Sequence, residues 1–197
     1  MTNRTHRLST ALLAGFASIM APVALAHTGV SDTSGLMAGL MHPMGGWDHL
    51  LAMVAVGLFA AQLGGRALWA VPAAFVGLMI AGGAFGVAGL GLPFAEAGVL
   101  VSVVVLGGLI AVALRIQLAA AMAIVGLFAI FHGFAHGAEM PLGMGGFAYS
   151  AGFALTTALL HGLGIGAGLL CKRLSADTLT RWAGGAIALS GLVLAVA

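Results

Sequence analysis

The sequence predicts an all-α membrane protein, a polytopic bundle of about six transmembrane helices behind a cleaved signal peptide. Three observations lead there. Of 197 residues, 61% are hydrophobic and only 6% are charged, against roughly 25% charged in an ordinary soluble domain. Apolar stretches long enough to span a bilayer recur along the chain, and the first residues form a short basic, then apolar, leader. A mean hydropathy of +1.15 excludes disorder, and so little charge cannot build a nucleic-acid groove or the flanks of a coiled coil. Seven histidines against five acidic residues are the anomaly in so apolar a chain.

The leader comes first. Arg4 and Arg7 precede an apolar run from Leu8 to about Met20, and Ala24-Leu25-Ala26 has the small-x-small pattern read by signal peptidase. Residues 1–26 are therefore expected to be removed, leaving 27–197 as a single transmembrane domain. The alternative, an uncleaved first helix, is disfavoured by the shortness of the run. Cleavage leaves five basic and five acidic side chains, so no basic surface for nucleic acid or lipid headgroups remains. It also makes His27 the N-terminus, where an amine and an imidazole can chelate a metal together. A mobile terminus loses entropy on becoming a ligand, so a residue that merely follows the cleavage site is the plainer reading of His27. The single cysteine, Cys171, excludes an internal disulfide or a Cys-cluster metal site and reads as a small apolar residue near a helix end.

Six segments of roughly 18 to 25 residues follow, near 46–63, 67–90, 95–114, 118–137, 147–171 and 180–197. Gly35 to Met41, ahead of Pro43 and Gly45-Gly46, is too short to span and reads as a half-helix or re-entrant turn feeding the first span. Arg66, Arg115, Lys172, Arg173 and Arg181 all fall in connections on one side. The positive-inside tendency makes that side cytoplasmic and the mature N-terminus periplasmic, in a bacterial inner membrane, which agrees with the signal peptide. Trp47, Trp69 and Trp182 are expected at the interfaces. Thirty-two glycines, with small-xxx-small spacing at Gly82/Gly86, Gly162/Gly166 and Gly164/Gly168, argue for closely approaching helix backbones.

The polar residues then fall into two groups. His42-Pro43-Met44-Gly45-Gly46-Trp47-Asp48-His49 lies at the outer mouth of the first span, and a break at Pro43 and the glycines would let His42 fold back toward Asp48 and His49. His132, His136 and Glu139, at i, i+4 and i+7, share one face at the end of the fourth span. At about 1.5 Å per residue from Gln117, His132 and His136 stand roughly 22 and 28 Å up a core about 30 Å thick, so both groups belong to the outer half. Glu96 opens the third span from the same side. His161 lies near mid-membrane, where a helix-to-helix hydrogen bond and a ligand role are equally good readings.

Imidazoles and carboxylates without thiolates suit borderline divalent ions such as Ni, Co, Cu or Zn rather than Mg or Ca. Ionisable groups kept inside a membrane are costly and mark function. Met41, Met44, Met140 and Met144 flank both groups, but in an apolar chain methionines are mostly packing material.

These residues carry a resemblance. The H-x5-D-H run (His42, Asp48, His49), the following Leu-Leu-Ala-Met-Val-Ala-Val-Gly, and F-H-G-x-A-H-G-x-E from Phe131 to Glu139 closely resemble the HupE/UreJ family of hydrogenase and urease accessory membrane proteins. The first run also looks like the H-x4-D-H signature of nickel/cobalt transporters, with one extra residue. The resemblance implies passage of nickel, with cobalt as an option, from periplasm to cytoplasm for hydrogenase or urease maturation. It makes His42, Asp48, His49, His132, His136 and Glu139 the metal-handling residues, with Glu96, His161 and His27 as additional candidates.

The expectation is thus a non-enzymatic metal permease. Its partners are a divalent cation and the lipid bilayer, with no nucleic acid, and nickel is cargo rather than a permanent cofactor. Carboxylates attract the hydrated ion, neutral imidazoles replace part of its water, and binding stays weak enough for release. The chain has no Walker A motif, so it hydrolyses no ATP itself. Two other classes use similar ligands: an intramembrane zinc-dependent hydrolase, against which the lack of H-E-x-x-H counts, and a metal-sensing accessory protein without flux. Nickel against cobalt, the energy source and the oligomeric state stay open at this level. Protonation of imidazole opposes metal binding, so uptake is expected to fall as outside pH drops through roughly 6.5. Measured uptake that stays constant down to about pH 5 counts against imidazole capture.

Overall fold

Helices form where the sequence is continuously apolar, and most of their ends lie near glycine, proline or a charged residue. The computed structural model describes residues 35–140 and 146–196. The expected signal peptide, His27 and Met144 lie outside the described residues. Within them are seven α-helices and no strand: α1 (Gly35–Met41), α2 (Trp47–Leu63), α3 (Ala67–Val87), α4 (Ala95–Ala111), α5 (Leu118–Ala138), α6 (Gly146–Arg173) and α7 (Asp177–Leu194). A 3-10 turn, His42–Met44, joins α1 to α2.

Three helices, α3, α5 and α6, are long and apolar enough to cross a membrane, and the bent pair Gly35–Met44 with Trp47–Leu63 adds a fourth when counted as one span. The segments expected at 95–114 and 180–197 give shorter or more polar helices. Helix α4 ends at Ala111 because Ala113 turns left-handed at φ 54°. Helix α7 starts earlier than expected, at Asp177, and its first turns carry Asp177 and Arg181. The segment expected to run to 90 stops at Val87, just before Gly89 at φ 70°.

Close packing is set by glycine. A Cβ on Gly82 would meet the Ile130 carbonyl, one on Gly133 the Met79 carbonyl, and one on Gly137 the Gly83 carbonyl, so α3 and α5 touch backbone to backbone. Helices α2 and α6 meet in the same way, with Gly57 on the His161 carbonyl and Gly164 on the Val54 carbonyl. The expectation for Gly162/Gly166 needs correction, because nothing lies within 4 Å of a Cβ at either position. These two are on the outer face of α6, whereas Gly164 and Gly168 are on the face toward α2. Met53, Val56, Phe59, Val71, Phe75, Val103, Leu106 and Ile110 fill the centre. Large apolar side chains such as Ile80, Phe85, Leu127 and Leu163 point outward, as a lipid-facing surface requires.

Two basic residues, Lys172 and Arg181, lock the opposite end from the histidines. Lys172 Nζ donates to the Ala61 and Gln62 carbonyls at the end of α2, and Arg181 Nε donates to the Ala111 carbonyl at 3.0 Å. Gln62 Nε2 donates to Leu114 O at 3.2 Å. Cationic side chains thus satisfy carbonyls that a helix C-terminus leaves free, and they complement its negative dipole end.

Candidate metal centre

The site begins with a corner. Pro43 cannot continue α1, and Gly46 adopts an extended backbone (φ −122°, ψ 129°) before α2 starts, so the chain bends by 83°. Close contact of Gly39 with the Tyr149 carbonyl and of Gly152 with the Leu36 carbonyl seats α1 on α6. Thr156 Oγ1 fixes it by donating to Leu40 O at 2.8 Å. His42 is therefore carried over the end of α5.

Its hydrogen-bond partner is not Asp48 or His49, toward which the sequence suggests it folds back. Its Nε2 lies 3.3 Å from Glu139 Oε2, and its ring centroid is 4.6 Å from that of His136. The sharp bend takes His42 across to the second motif, which links the two groups. His42, His136 and Glu139 each offer a ligand atom, and these atoms lie within 4.8 Å of one another. That spacing suits three donors converging on a small ion.

His136 is the hinge of the arrangement. Its ring is also 4.1 Å from that of His49, and His49 is 4.9 Å from His132. Four imidazoles from the 3-10 turn, α2 and α5 thus form a continuous file. The sequence device on α5 is a repeated His-Gly pair. Gly133 and Gly137 seat α5 against α3, and the preceding residue lies about 100° round the helix. His132 and His136 are thereby turned off the α3 contact toward the centre of the bundle.

Asp48 orients one member of the file. Its Oδ1 accepts from the His49 backbone N–H at 2.8 Å and from His49 Nδ1 at 2.9 Å. This directs the other nitrogen, Nε2, away from the carboxylate. A carboxylate behind an imidazole fixes the tautomer and raises its basicity as a ligand. Near the N-terminus of α2, Asp48 is also favourably placed against the helix dipole.

Among the described residues, His49 Nε2, His132 Nδ1 and both ring nitrogens of His136 and His161 are buried with no hydrogen-bonding partner in the protein. A buried polar atom left unpaired costs about 1–3 kcal/mol, so each of these nitrogens calls for a partner other than a protein side chain. Their lone pairs are chemically free for a cation or for water. Beside His136 is a cavity of about 30 Å³ lined in part by Met79, Met140, Tyr149 and Phe153, room for about one water molecule. Of the flanking methionines, Met140 reaches this lining, while Met41 and Met44 are exposed.

Two candidates stand apart. Glu96 is exposed in the first turn of α4 and has no hydrogen bond or ion pair to the other candidates among the described residues. His161 is buried deeper, with Phe75 between it and the file: the Phe75 ring is 5.1 Å from His161 and 5.5 Å from His132. Ser102 and Tyr149 are neighbours that motif reading missed. Ser102 Oγ is 2.8 Å from His132 Nε2, and the Tyr149 ring is 5.6 Å from His42. A signal existed for each, since Ser102 is the one hydroxyl within the apolar run of α4 and Tyr149 the one tyrosine of the chain.

Known proteins place this chain in a family. The family model described as HupE / UreJ protein matches residues 14–194, nearly the whole chain. The chain belongs to the HupE/UreJ family. Protein HupE of Rhizobium leguminosarum bv. viciae is 45% identical over 174 residues, which cover 88% of this chain and 91% of that protein. No solved structure matches the chain. HupE/UreJ membership makes this a membrane protein of the hydrogenase and urease accessory group, and all six residues of its two polar motifs lie inside the matched region.

Proposed function

We propose that this HupE/UreJ protein carries a divalent transition metal, nickel in the first place and cobalt in the second, from the periplasm into the cytoplasm. The observation that carries this reading is the file of four imidazoles closed at its outer end by the His42, His136 and Glu139 triad. Asp48 and Glu139 lower the cost of bringing a dication to the mouth, since no Lys or Arg stands in either motif. The triad then takes the place of part of the hydration shell, and His49 and His132 offer the next donors. Each donor set is open rather than a closed four-ligand cage, which keeps the ion exchangeable. His161, beyond Phe75, is the next imidazole on the way inward. Orientation follows the basic end, which faces the cytoplasm of a bacterial inner membrane.

The reading is tested by reconstituting the purified protein in liposomes and following radiolabelled nickel uptake. Saturable uptake by the wild type, reduced at least tenfold in His42→Ala and Asp48→Asn, is the expected result. Tight nickel binding with no flux assigns the chain to metal sensing instead. Zinc-dependent turnover of a peptide or lipid makes it a hydrolase.

A further inference from the structure

One buried contact restricts the chemistry of the file. Ser102, on α4, is fully buried, and its Oγ lies 2.5 Å from the Val99 carbonyl oxygen and 2.8 Å from His132 Nε2. Two oxygens so close repel each other unless a proton lies between them. The carbonyl has none to give, so the hydroxyl proton points at Val99. A serine hydroxyl has a single proton. Toward His132 the same oxygen is therefore only an acceptor, and the hydrogen of the second contact must come from the imidazole. His132 then carries its proton on Nε2, and Nδ1, buried and without a protein partner, holds the lone pair.

We propose that Ser102 is a positioning residue for metal passage, fixing His132 as the Nε2–H tautomer so that Nδ1 is the atom offered to the ion. This rests on the transport reading above for its function, but not for its chemistry. The consequence is a matched pair. Asp48 accepts a hydrogen bond from the Nδ1–H of His49 and leaves Nε2 with the lone pair, and Ser102 accepts one from the Nε2–H of His132 and leaves Nδ1 with the lone pair. The two rings are 4.9 Å apart and nearly perpendicular, so each offers one nitrogen donor behind the outer triad. Without the two fixed partners, either ring could present N–H where the ion needs a lone pair. A neutral hydroxyl suits the deeper position, because it orients the imidazole without adding a second buried charge.

The test uses the full-length protein in lipid nanodiscs with 15N-labelled histidine, free of metal. Nitrogen NMR distinguishes protonated from unprotonated ring nitrogens, and His132→Gln identifies the His132 signals. Wild type is expected to show His132 protonated at Nε2 alone. A wild-type spectrum with the proton on Nδ1 overturns the proposal whatever the variants do. Ser102→Ala is expected to release the preference and give a mixture of tautomers, while Ser102→Thr, which keeps the hydroxyl, restores the wild-type pattern. In liposomes, Ser102→Ala should lower nickel uptake about 10- to 100-fold, the usual loss when a group that orients a metal-binding histidine is removed. Unchanged uptake together with an unchanged His132 tautomer in Ser102→Ala removes Ser102 from the mechanism. If wild-type liposomes move no nickel, the transport reading fails, and the metal-free spectrum still decides the tautomer.

Discussion

Replacing His136 with leucine is expected to cut nickel uptake by about two orders of magnitude while leaving the bundle folded. Loss of a group that merely orients a metal-binding histidine costs about 10- to 100-fold, and loss of the donor itself belongs at or beyond the upper end of that range. His136 should be the most sensitive position because it serves two neighbours. It completes the triad with His42 and Glu139, and its ring abuts that of His49. Folding should survive, since neither ring nitrogen bonds to a protein group. Removing the imidazole leaves no partner stranded, and leucine fills the space between Phe153 and the other rings. Uptake in liposomes and thermal unfolding in detergent, measured on the same preparations, separate the two effects. Wild-type uptake in His136→Leu would remove the triad from the path. His42→Ala should be milder, because Glu139 and His136 keep two of the three outer donors.

How much of this was legible beforehand differs by element. The apolar segments announced the helices, and Gly35 to Met41 was readable as a half-helix because Pro43 and two glycines follow it. The ends were less readable. Helix α4 stops at Ala111 through a left-handed backbone at Ala113, and nothing in the residue type alanine signals that conformation. Both polar motifs were visible as motifs. Their connection was not, because it depends on an 83° corner whose direction is set by contacts of α1 with α6 far along the chain. Pro43 says that the helix breaks, but the contacts of Gly39, Gly152 and Thr156 decide that His42 swings toward Glu139 rather than Asp48. Ser102 was hidden for a similar reason, as one hydroxyl in an apolar helix ordinarily bonds its own backbone. Only the position of α5 reveals the second bond, to His132. Glycine spacing flagged both Gly162/Gly166 and Gly164/Gly168, and spacing alone cannot tell which face of α6 meets α2.

That last distinction leads to the second large effect, Gly133→Ala set against Gly162→Ala. Each adds one methyl group to a helix interior, where alanine is intrinsically favoured over glycine by about 1 kcal/mol. At Gly162 the added Cβ meets nothing within 4 Å, so the variant should be as stable as the wild type or slightly more stable. At Gly133 the Cβ would collide with the Met79 carbonyl and approach the Gly83 backbone nitrogen. Those are main-chain atoms that no rotamer change can move aside, so α3 and α5 must separate along a shared face. Overpacking of this kind costs about 1–3 kcal/mol, and here it reverses a propensity gain. The damage should also reach the metal path, because His132 precedes Gly133 and His136 lies one turn on. Pushing α5 off α3 displaces both rings relative to His49 and stretches the 2.8 Å contact of His132 with Ser102. Thermal unfolding in detergent should place Gly133→Ala several degrees below Gly162→Ala, with nickel uptake reduced only in the former. Equal melting temperatures would mean that α3 and α5 do not touch through Gly133, and the placement of the α5 histidines would have to be redrawn.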